Sequence, residues 1–254
     1  MFIEERYKYI LDLLEKHGKV LVKDLSKEFD VSESMIRKDL QTLEKKNLLQ
    51  RTYGGAINIK NTISSCQSFN KRVEENIPSK EIIANKAFNQ IKDNETIFLD
   101  ASTTSYMIAK LIVKSNKAIT LITNMFEISS LIPINSKTHF IFIGGDYNAF
   151  VGGSVGSYSI EQIKKYRCDK AFIGCSGVDL RDGGISTSIS EDASTKKAIM
   201  SISKELFLVM LNNKFETSSS FIFSNIIDFY GVITEDCPNK SIINLLKDYY
   251  VNLI

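Results

Sequence analysis

Polar residues follow an apolar run in the stretch "FLDASTTSYMIAKL". Asp100 closes the run, and Ser102, Thr103 and Thr104 then open a helical pattern. Hydroxyls and unpaired backbone N–H groups at a helix N-terminus favour an anion such as phosphate. The same residue types also cap helices that bind no ligand. The stretch therefore indicates either an anion site or a structural cap.

Three further apolar runs end in residues that suit a small polar molecule. Asn124 follows "AITLIT", Asp179 follows the glycines of "AFIGCSGVDL", and Lys214 ends a further run within "NNKF". A carboxylate can bind sugar hydroxyls, and a lysine can pair with a phosphate. Taken singly, a turn or a surface lysine explains each of them. Taken together with Asp100 to Thr104, they suggest a small polyol phosphate as ligand.

These side chains need a scaffold that brings strand ends together. From residue 80 onward, short apolar strands alternate with helices. Strands are predicted over 96–99, 118–122, 140–143, 170–173, 206–210, 230–233 and 249–253. This alternation is typical of an α/β, Rossmann-like and mostly parallel sheet. In such sheets ligands bind beyond the carboxyl ends of the strands.

Two other stretches of this region have structural interpretations. "SISE" at residues 188–191 has the spacing of a capping box. Glu191 and Lys196 beyond it are candidates to face a pocket. "GGDYNAFVGGSVGS" matches neither the dinucleotide nor the phosphate-loop fingerprint. We interpret it as a flexible turn region over the sheet.

The first 57 residues have a different pattern. Helices are predicted over 4–16, 22–29 and 33–46, with Ser32 as the N-cap of the third. A hairpin is predicted over 48–57, with Gly54 and Gly55 in its tight turn. Three helices followed by a hairpin form a winged helix-turn-helix.

The third predicted helix has one apolar and one polar face. Ile36, Leu40 and Leu43 recur at core spacing. The opposite side and the hairpin carry polar and basic residues, namely Ser34, Arg37, Lys38, Gln41, Lys45 and Arg51. Such a face fits the major groove of DNA. A solvated charged face is the alternative when the helix is taken alone.

The N-terminal stretch from "ERYKYILDLL" to "QRTYGGA" closely resembles the DNA-binding domain of the DeoR family of bacterial transcriptional regulators. The strongest matches are "IRKDL" and "RTYGGA". Met35 and Tyr53 depart from the Thr and His that are usual in the family. Both departures are expected to alter which operator is read.

The later strand ends look like the successive motifs of a DeoR-type sensor domain, so the resemblance covers nearly the whole chain. It implies a domain similar in fold to sugar-phosphate isomerases that binds phosphorylated sugars or related metabolites as inducers. Its loop from Asp100 to Thr104 would hold the phosphate, and Asp179 and Lys214 would line the pocket. Leu211 replaces an Asp that is common in the family, and "CS" at 175–176 replaces a more usual Ala-Asp.

Composition limits the other classes of function. The net charge of the 254-residue chain is +2, so any affinity for nucleic acid must come from a local surface. The four cysteines lie far apart and there are two histidines, which predicts neither a metal site nor a cofactor. No apolar run approaches the roughly 20 residues of a membrane span. We expect a cytoplasmic protein that does not bind membranes.

The sequence therefore predicts a DNA-binding domain over 1–57, a linker over 58–79 and a sensor domain over 80–254, with Phe69 as an alternative start of the second domain. We expect a homo-oligomer, either a dimer or a tetramer. It would repress carbohydrate-metabolism genes and leave its operator when a phosphorylated sugar binds. Two alternatives remain open: a sugar-phosphate isomerase with a DNA-binding appendage, and a constitutive DNA-binding protein without a ligand. We predict no catalytic residues.

Overall fold

The computed structural model describes residues 3–17, 19–46, 48–52, 54–58, 69–115, 117–133 and 136–254. The chain divides into two compact units, Met1–Gln67 and Ser68–Ile254. The second unit thus begins before residue 80, which the sequence analysis gave as its start with Phe69 as the alternative. Two helices, over residues 69–74 and 77–89, occupy part of the predicted linker. Phe69, the first residue of these helices, is buried in the hydrophobic core of the second unit.

The first unit contains the three predicted helices and the predicted hairpin. Its elements are α1 Ile3–His17, β1 Lys19–Leu21, α2 Val22–Phe29, α3 Glu33–Lys45, β2 Leu49–Thr52 and β3 Gly55–Asn58. The strands form an antiparallel sheet in the order β1-β3-β2. Strand β1 is too short to show a period in the sequence and was not predicted.

Apolar periodicity and local capping explain the form of this unit. Ile36, Leu40 and Leu43 are buried, as their spacing predicts. The Ser32 hydroxyl accepts a hydrogen bond from the backbone N–H of Met35 at 3.3 Å and caps α3. In the hairpin, a Cβ on Gly55 would lie 1.9 Å from the Val20 carbonyl oxygen. Only glycine therefore allows β3 to approach β1 this closely.

The second unit is built around a parallel sheet. Its helices are α4 Phe69–Glu74, α5 Ile77–Asn89, α6 Thr103–Lys114, α7 Phe126–Ser129, α8 Ser157–Ile163, α9 Ser190–Ser201 and α10 Lys240–Asp248. Its strands are β4 Thr96–Leu99, β5 Thr120–Thr123, β6 His139–Phe142, β7 Asp146–Asn148, β8 Gly153–Val155, β9 Cys168–Ile173, β10 Gly177–Val178, β11 Gly184–Thr187, β12 Ser203–Val209, β13 Phe221–Asn225, β14 Gly231–Ile233 and β15 Asn252–Leu253. Short 3₁₀ helices cover Asn212–Glu216 and Ile226–Asp228.

Seven strands form the main sheet in the order β15-β14-β12-β9-β4-β5-β6, and every neighbouring pair is parallel. All seven were predicted, with shifts at their ends. Alternate residues of one strand belong to different hydrophobic clusters: Phe172 packs in one, and Ala171 and Ile173 in the other. Both faces of the sheet are therefore covered, which explains the continuous apolar runs.

Two antiparallel sheets were not predicted. One has the order β10-β11-β13 and the other pairs β7 with β8. The interpretation of "GGDYNAFVGGSVGS" as a flexible turn region was wrong, because β7 and β8 form a hairpin there. The predicted capping box was also wrong. Ile189 is the N-cap of α9 without a side-chain bond, and the Ser190 hydroxyl donates to the Glu191 carboxylate.

Within the described residues, none of the helices combines the length and apolar character needed to cross a membrane.

Candidate functional site

The outward face of α3 is polar and accessible. Ser34, Arg37, Lys38 and Gln41 are all exposed. Arg37 donates to the Glu33 carboxylate at 2.7 Å, one helical turn away. An exposed pair of this kind contributes little stability. Arg37 can therefore exchange its carboxylate partner for a phosphate at small cost.

The hairpin of β2 and β3, here called the wing, is linked to α3 through the Glu44 carboxylate. The backbone N–H of Arg51 donates to the Glu44 carboxylate at 2.9 Å, and the Arg51 guanidinium lies 3.9 Å from the same group. Arg51, in strand β2, is exposed. Lys45 belongs to α3, but its side chain lies outside the described residues, as does Tyr53.

A buried ion pair fixes α3 against α1. Arg6 Nε donates to Asp39 Oδ2 at 2.6 Å, and both side chains are over nine-tenths buried. The hydrogen bond to Asp39 raises the pKa of Arg6, against the opposing effect of burial. Sequence analysis missed this pair because its partners are 33 positions apart. It orients the helix that presents the polar face.

In the second unit, Asp100 lies at the carboxyl end of β4 and is fully buried. Its Oδ1 accepts from the Ser105 hydroxyl at 2.7 Å. Its Oδ2 accepts from the Gly174 backbone N–H at 2.8 Å and from Lys196 Nζ at 2.5 Å. The carboxylate thus accepts hydrogen bonds from three donors of the protein. It organises the loop between β4 and α6.

Lys196 is the buried cation of this cluster. Its Nζ also lies 3.4 Å from Asp192 Oδ1, and Asp192 Oδ2 accepts from the Thr187 hydroxyl at 2.7 Å. Burial acts against the charge of Lys196, but the carboxylates of Asp100 and Asp192 raise its pKa above the ordinary value. Burial raises the pKa of Asp192 against the pull of Lys196. Of the two candidates to face a pocket, Lys196 is buried in this cluster and Glu191 is exposed.

Helix α6 begins at Thr103, three residues after Asp100. The Ser102 hydroxyl accepts from the Ser105 backbone N–H at 3.1 Å and is the N-cap. Thr103 and Thr104 are buried in the first turn. A Cβ on Gly174 would lie 2.6 Å from the Ser102 Cβ, so the end of β9 presses against this turn. Ser102 thus caps the helix, at the end of the sheet where a ligand is expected.

Asn124 has an unused acceptor. The residue is 1% exposed, and its Nδ2 donates to the Ser154 carbonyl at 2.8 Å. Its Oδ1 is buried and has no hydrogen-bond partner among the described residues. Buried polar atoms normally have a partner. A hydroxyl donor from a ligand would satisfy this oxygen.

Two lysines lie near each other in this part of the second unit. Lys80, in α5, is buried, and its Nζ donates to the Arg72 carbonyl. Burial lowers the pKa of Lys80 to about 8; Glu75 acts in the opposite direction, and the charges of Arg72 and Lys214 lower it further. Lys214 is half-buried and also acts electrostatically on Cys175 beside Asp100. Sequence analysis missed Lys80, which looks like any lysine of a helix.

Asp179 lies in the turn between β10 and β11. Its Oδ1 accepts from the backbone N–H of Arg181 at 3.0 Å and from Arg181 Nε at 2.9 Å. The carboxylate thus binds a residue of its own turn, which was not expected from the sequence. Among the described residues there is no group of three or more His, Cys, Asp or Glu able to hold a metal ion.

Comparison with known families now decides the class of protein. A model of the DeoR-like helix-turn-helix domain matches residues 6–62, and a model of the DeoR C-terminal sensor domain matches residues 75–236. The chain belongs to the DeoR family of transcriptional regulators. It is a DNA-binding regulator that carries a sensor domain.

Several curated relatives match over most of their length. The glycerol-3-phosphate regulon repressor of Escherichia coli is 27% identical over 98% of this chain and 97% of its own. The L-fucose operon activator of Haemophilus influenzae is 34% identical over 84% of each chain. The HTH-type transcriptional repressor GlcR of Bacillus subtilis is 28% identical over all of this chain and 96% of its own.

Proposed function

We propose that this regulator binds its operator through α3 and the wing, and that a phosphorylated sugar or related metabolite in the sensor domain controls the binding. The direct DNA contacts would come from Ser34, Arg37, Lys38, Gln41, Lys45 and Arg51. Those whose side chains are described are exposed, and the buried Arg6–Asp39 pair holds α3 in place. A rigidly held polar helix suits base readout.

For the effector, the observation that carries the proposal is the unpartnered Oδ1 of Asn124. It lies at the carboxyl end of β5, beside the strand that leads into the α6 N-terminus. Ser102, Thr103 and Thr104 would bind the phosphate at that N-terminus. Lys80 and Lys214 would neutralise its charge, and Asn124 would accept from a sugar hydroxyl. Asp100 would position this loop, and Asp179 would shape the neighbouring turn.

The relatives named above include a glycerol-3-phosphate regulon repressor, a second transcriptional repressor and an L-fucose operon activator. Two of the three are repressors, and we propose repression for this chain also, in the cytoplasm. We further propose a dimer or a tetramer, because two helix-turn-helix units in a symmetric dimer read two half-sites.

We propose that the sensor domain binds its ligand without converting it. Aldose–ketose isomerisation requires a positioned base and acid. Asp100 is fully buried and already accepts hydrogen bonds from three donors, and Asp179 is engaged by Arg181. Conversion of common sugar phosphates by the pure protein would contradict this proposal and favour the isomerase alternative.

The DNA part is tested on the fragment upstream of the gene for this chain. Arg37→Ala should weaken operator binding about tenfold, the size of a lost base or phosphate contact. Its matched control is Lys8→Ala, an exposed cation of α1. Equal binding by wild type and Arg37→Ala would remove Arg37 from the interface.

The effector part is tested by titrating the operator complex with a panel of sugar phosphates. One compound should release the DNA from wild type, and Lys214→Gln should require a higher concentration of it. Lys204→Gln, which changes an exposed lysine paired with Asp169, should behave as wild type. Operator binding that none of the compounds alters would favour the constitutive alternative.

A further inference from the structure

One exposed side chain of α3 is apolar. Met35 lies in the first turn and is 44% exposed. Its neighbour Ile36 belongs to the hydrophobic cluster of the first unit, but Met35 does not. The Met35 backbone N–H donates to the Ser32 hydroxyl, so the backbone of Met35 is held in place.

The position of Met35 relative to the polar face follows from helix geometry. At 100° per residue, its side chain lies about 60° from that of Lys38 and about 100° from that of Ser34. Both of these neighbours are exposed. Met35 thus borders the polar face at the N-terminal end of the helix. In helix-turn-helix complexes the N-terminal residues of this helix contact base edges.

The chemistry of Met35 limits what it can read. Its thioether is at most a weak hydrogen-bond acceptor, and it has no donor. The edges of base pairs in the major groove offer hydrogen-bonding groups and a single apolar group, the C5-methyl of thymine. An unbranched, polarizable side chain adapts well to such a small apolar target.

We propose that Met35 is a specificity residue that contacts the C5-methyl group of a thymine in each operator half-site. This inference rests on the proposed role of α3 as the helix that enters the major groove. The neighbouring Lys38 and Arg37 supply charge and hydrogen bonds to any sequence. Met35 adds a preference for thymine at one position per half-site.

The test removes one methyl group at a time. Wild-type protein first selects an operator from random duplexes, and each thymine of a half-site is then replaced by uracil, which pairs identically. One replacement should weaken wild-type binding roughly fourfold, the effect of losing contact with one methyl-sized group. Met35→Ala should bind the thymine operator that much more weakly and should not distinguish thymine from uracil. Alanine favours helix, so α3 is retained.

Two controls separate this inference from the function on which it rests. Ile3→Ala truncates an exposed apolar residue of α1 and should keep the wild-type response to uracil. Lys38→Ala should weaken binding to thymine and uracil duplexes equally. The proposal is overturned if no uracil substitution affects wild type, or if Met35→Ala keeps the wild-type difference. Failure of wild type to select any sequence would instead overturn the proposed operator contacts of α3.

Discussion

The two units place their polar residues in opposite ways. In the DNA-binding unit, the residues proposed to contact the operator occupy one short stretch, and those whose side chains the structure describes are exposed. In the sensor unit, Asp100, Asn124 and Lys196 come from distant parts of the chain and are buried. An exposed contact can change without loss of folding, whereas a buried one contributes to stability as well. Removal of a polar side chain should therefore affect operator binding in the DNA-binding unit and folding in the sensor unit.

The largest expected effect is that of Lys196→Met in the sensor unit. It leaves the buried carboxylate of Asp100 without its cation, and removing one partner of a buried pair costs about 3 kcal/mol or more. Urea unfolding of the full chain measures this loss. Lys204→Met, which breaks an exposed pair with Asp169, should change the free energy of unfolding by less than about 1 kcal/mol. Equal losses in both variants would contradict the comparison.

The DNA-binding unit also contains a buried ion pair, Arg6–Asp39, which contributes to stability like the pair in the sensor unit. Arg6→Met should destabilise the first unit by about 2 kcal/mol, since a hydrogen bond to a charged group is lost. The double variant Arg6→Met, Asp39→Leu should recover part of this loss, because it leaves no unpaired buried charge. Hydrogen exchange at the Leu40 and Leu43 amides measures both. A double variant less stable than Arg6→Met would refute this account.

The smallest expected effect concerns Lys80 and pH. Its pKa in the folded chain is about 8, below the ordinary 10.5, because the residue is buried. The unfolded chain keeps this proton to higher pH, so from this group alone the stability of the ligand-free protein rises as pH increases through the interval between these values. The proposed binding of a phosphate by Lys80 needs the charged form of this side chain. Effector affinity should therefore fall severalfold between roughly pH 7 and pH 9.

Lys80→Met provides the control for the pH experiment. It should bind the effector more weakly at neutral pH and lack the decline above it. Calorimetry at several pH values measures both affinities. A decline of the same size in wild type and in Lys80→Met would assign the pH effect to another group.

Local pattern was sufficient for much of this molecule. The spacing of Ile36, Leu40 and Leu43 determined the buried side of α3 and, by subtraction, its polar face. Ser32 capped the helix as predicted, and the continuous apolar runs determined all seven strands of the parallel sheet. Each of these features depends on residues within one or two turns of helix or one strand. Its physical cause can therefore be read along the chain.

Only the tertiary structure decided which charges meet. Asp100 binds Lys196 across 96 positions and Arg6 binds Asp39 across 33. The antiparallel strands β7 and β8 were predicted as a turn because their glycine-rich sequence lacks the alternation of apolar residues that indicates strands. Burial also separated Lys80 from the other lysines and shifted its pKa. Such properties arise from the removal of water and from neighbours that folding brings together, and neither is written in a local pattern.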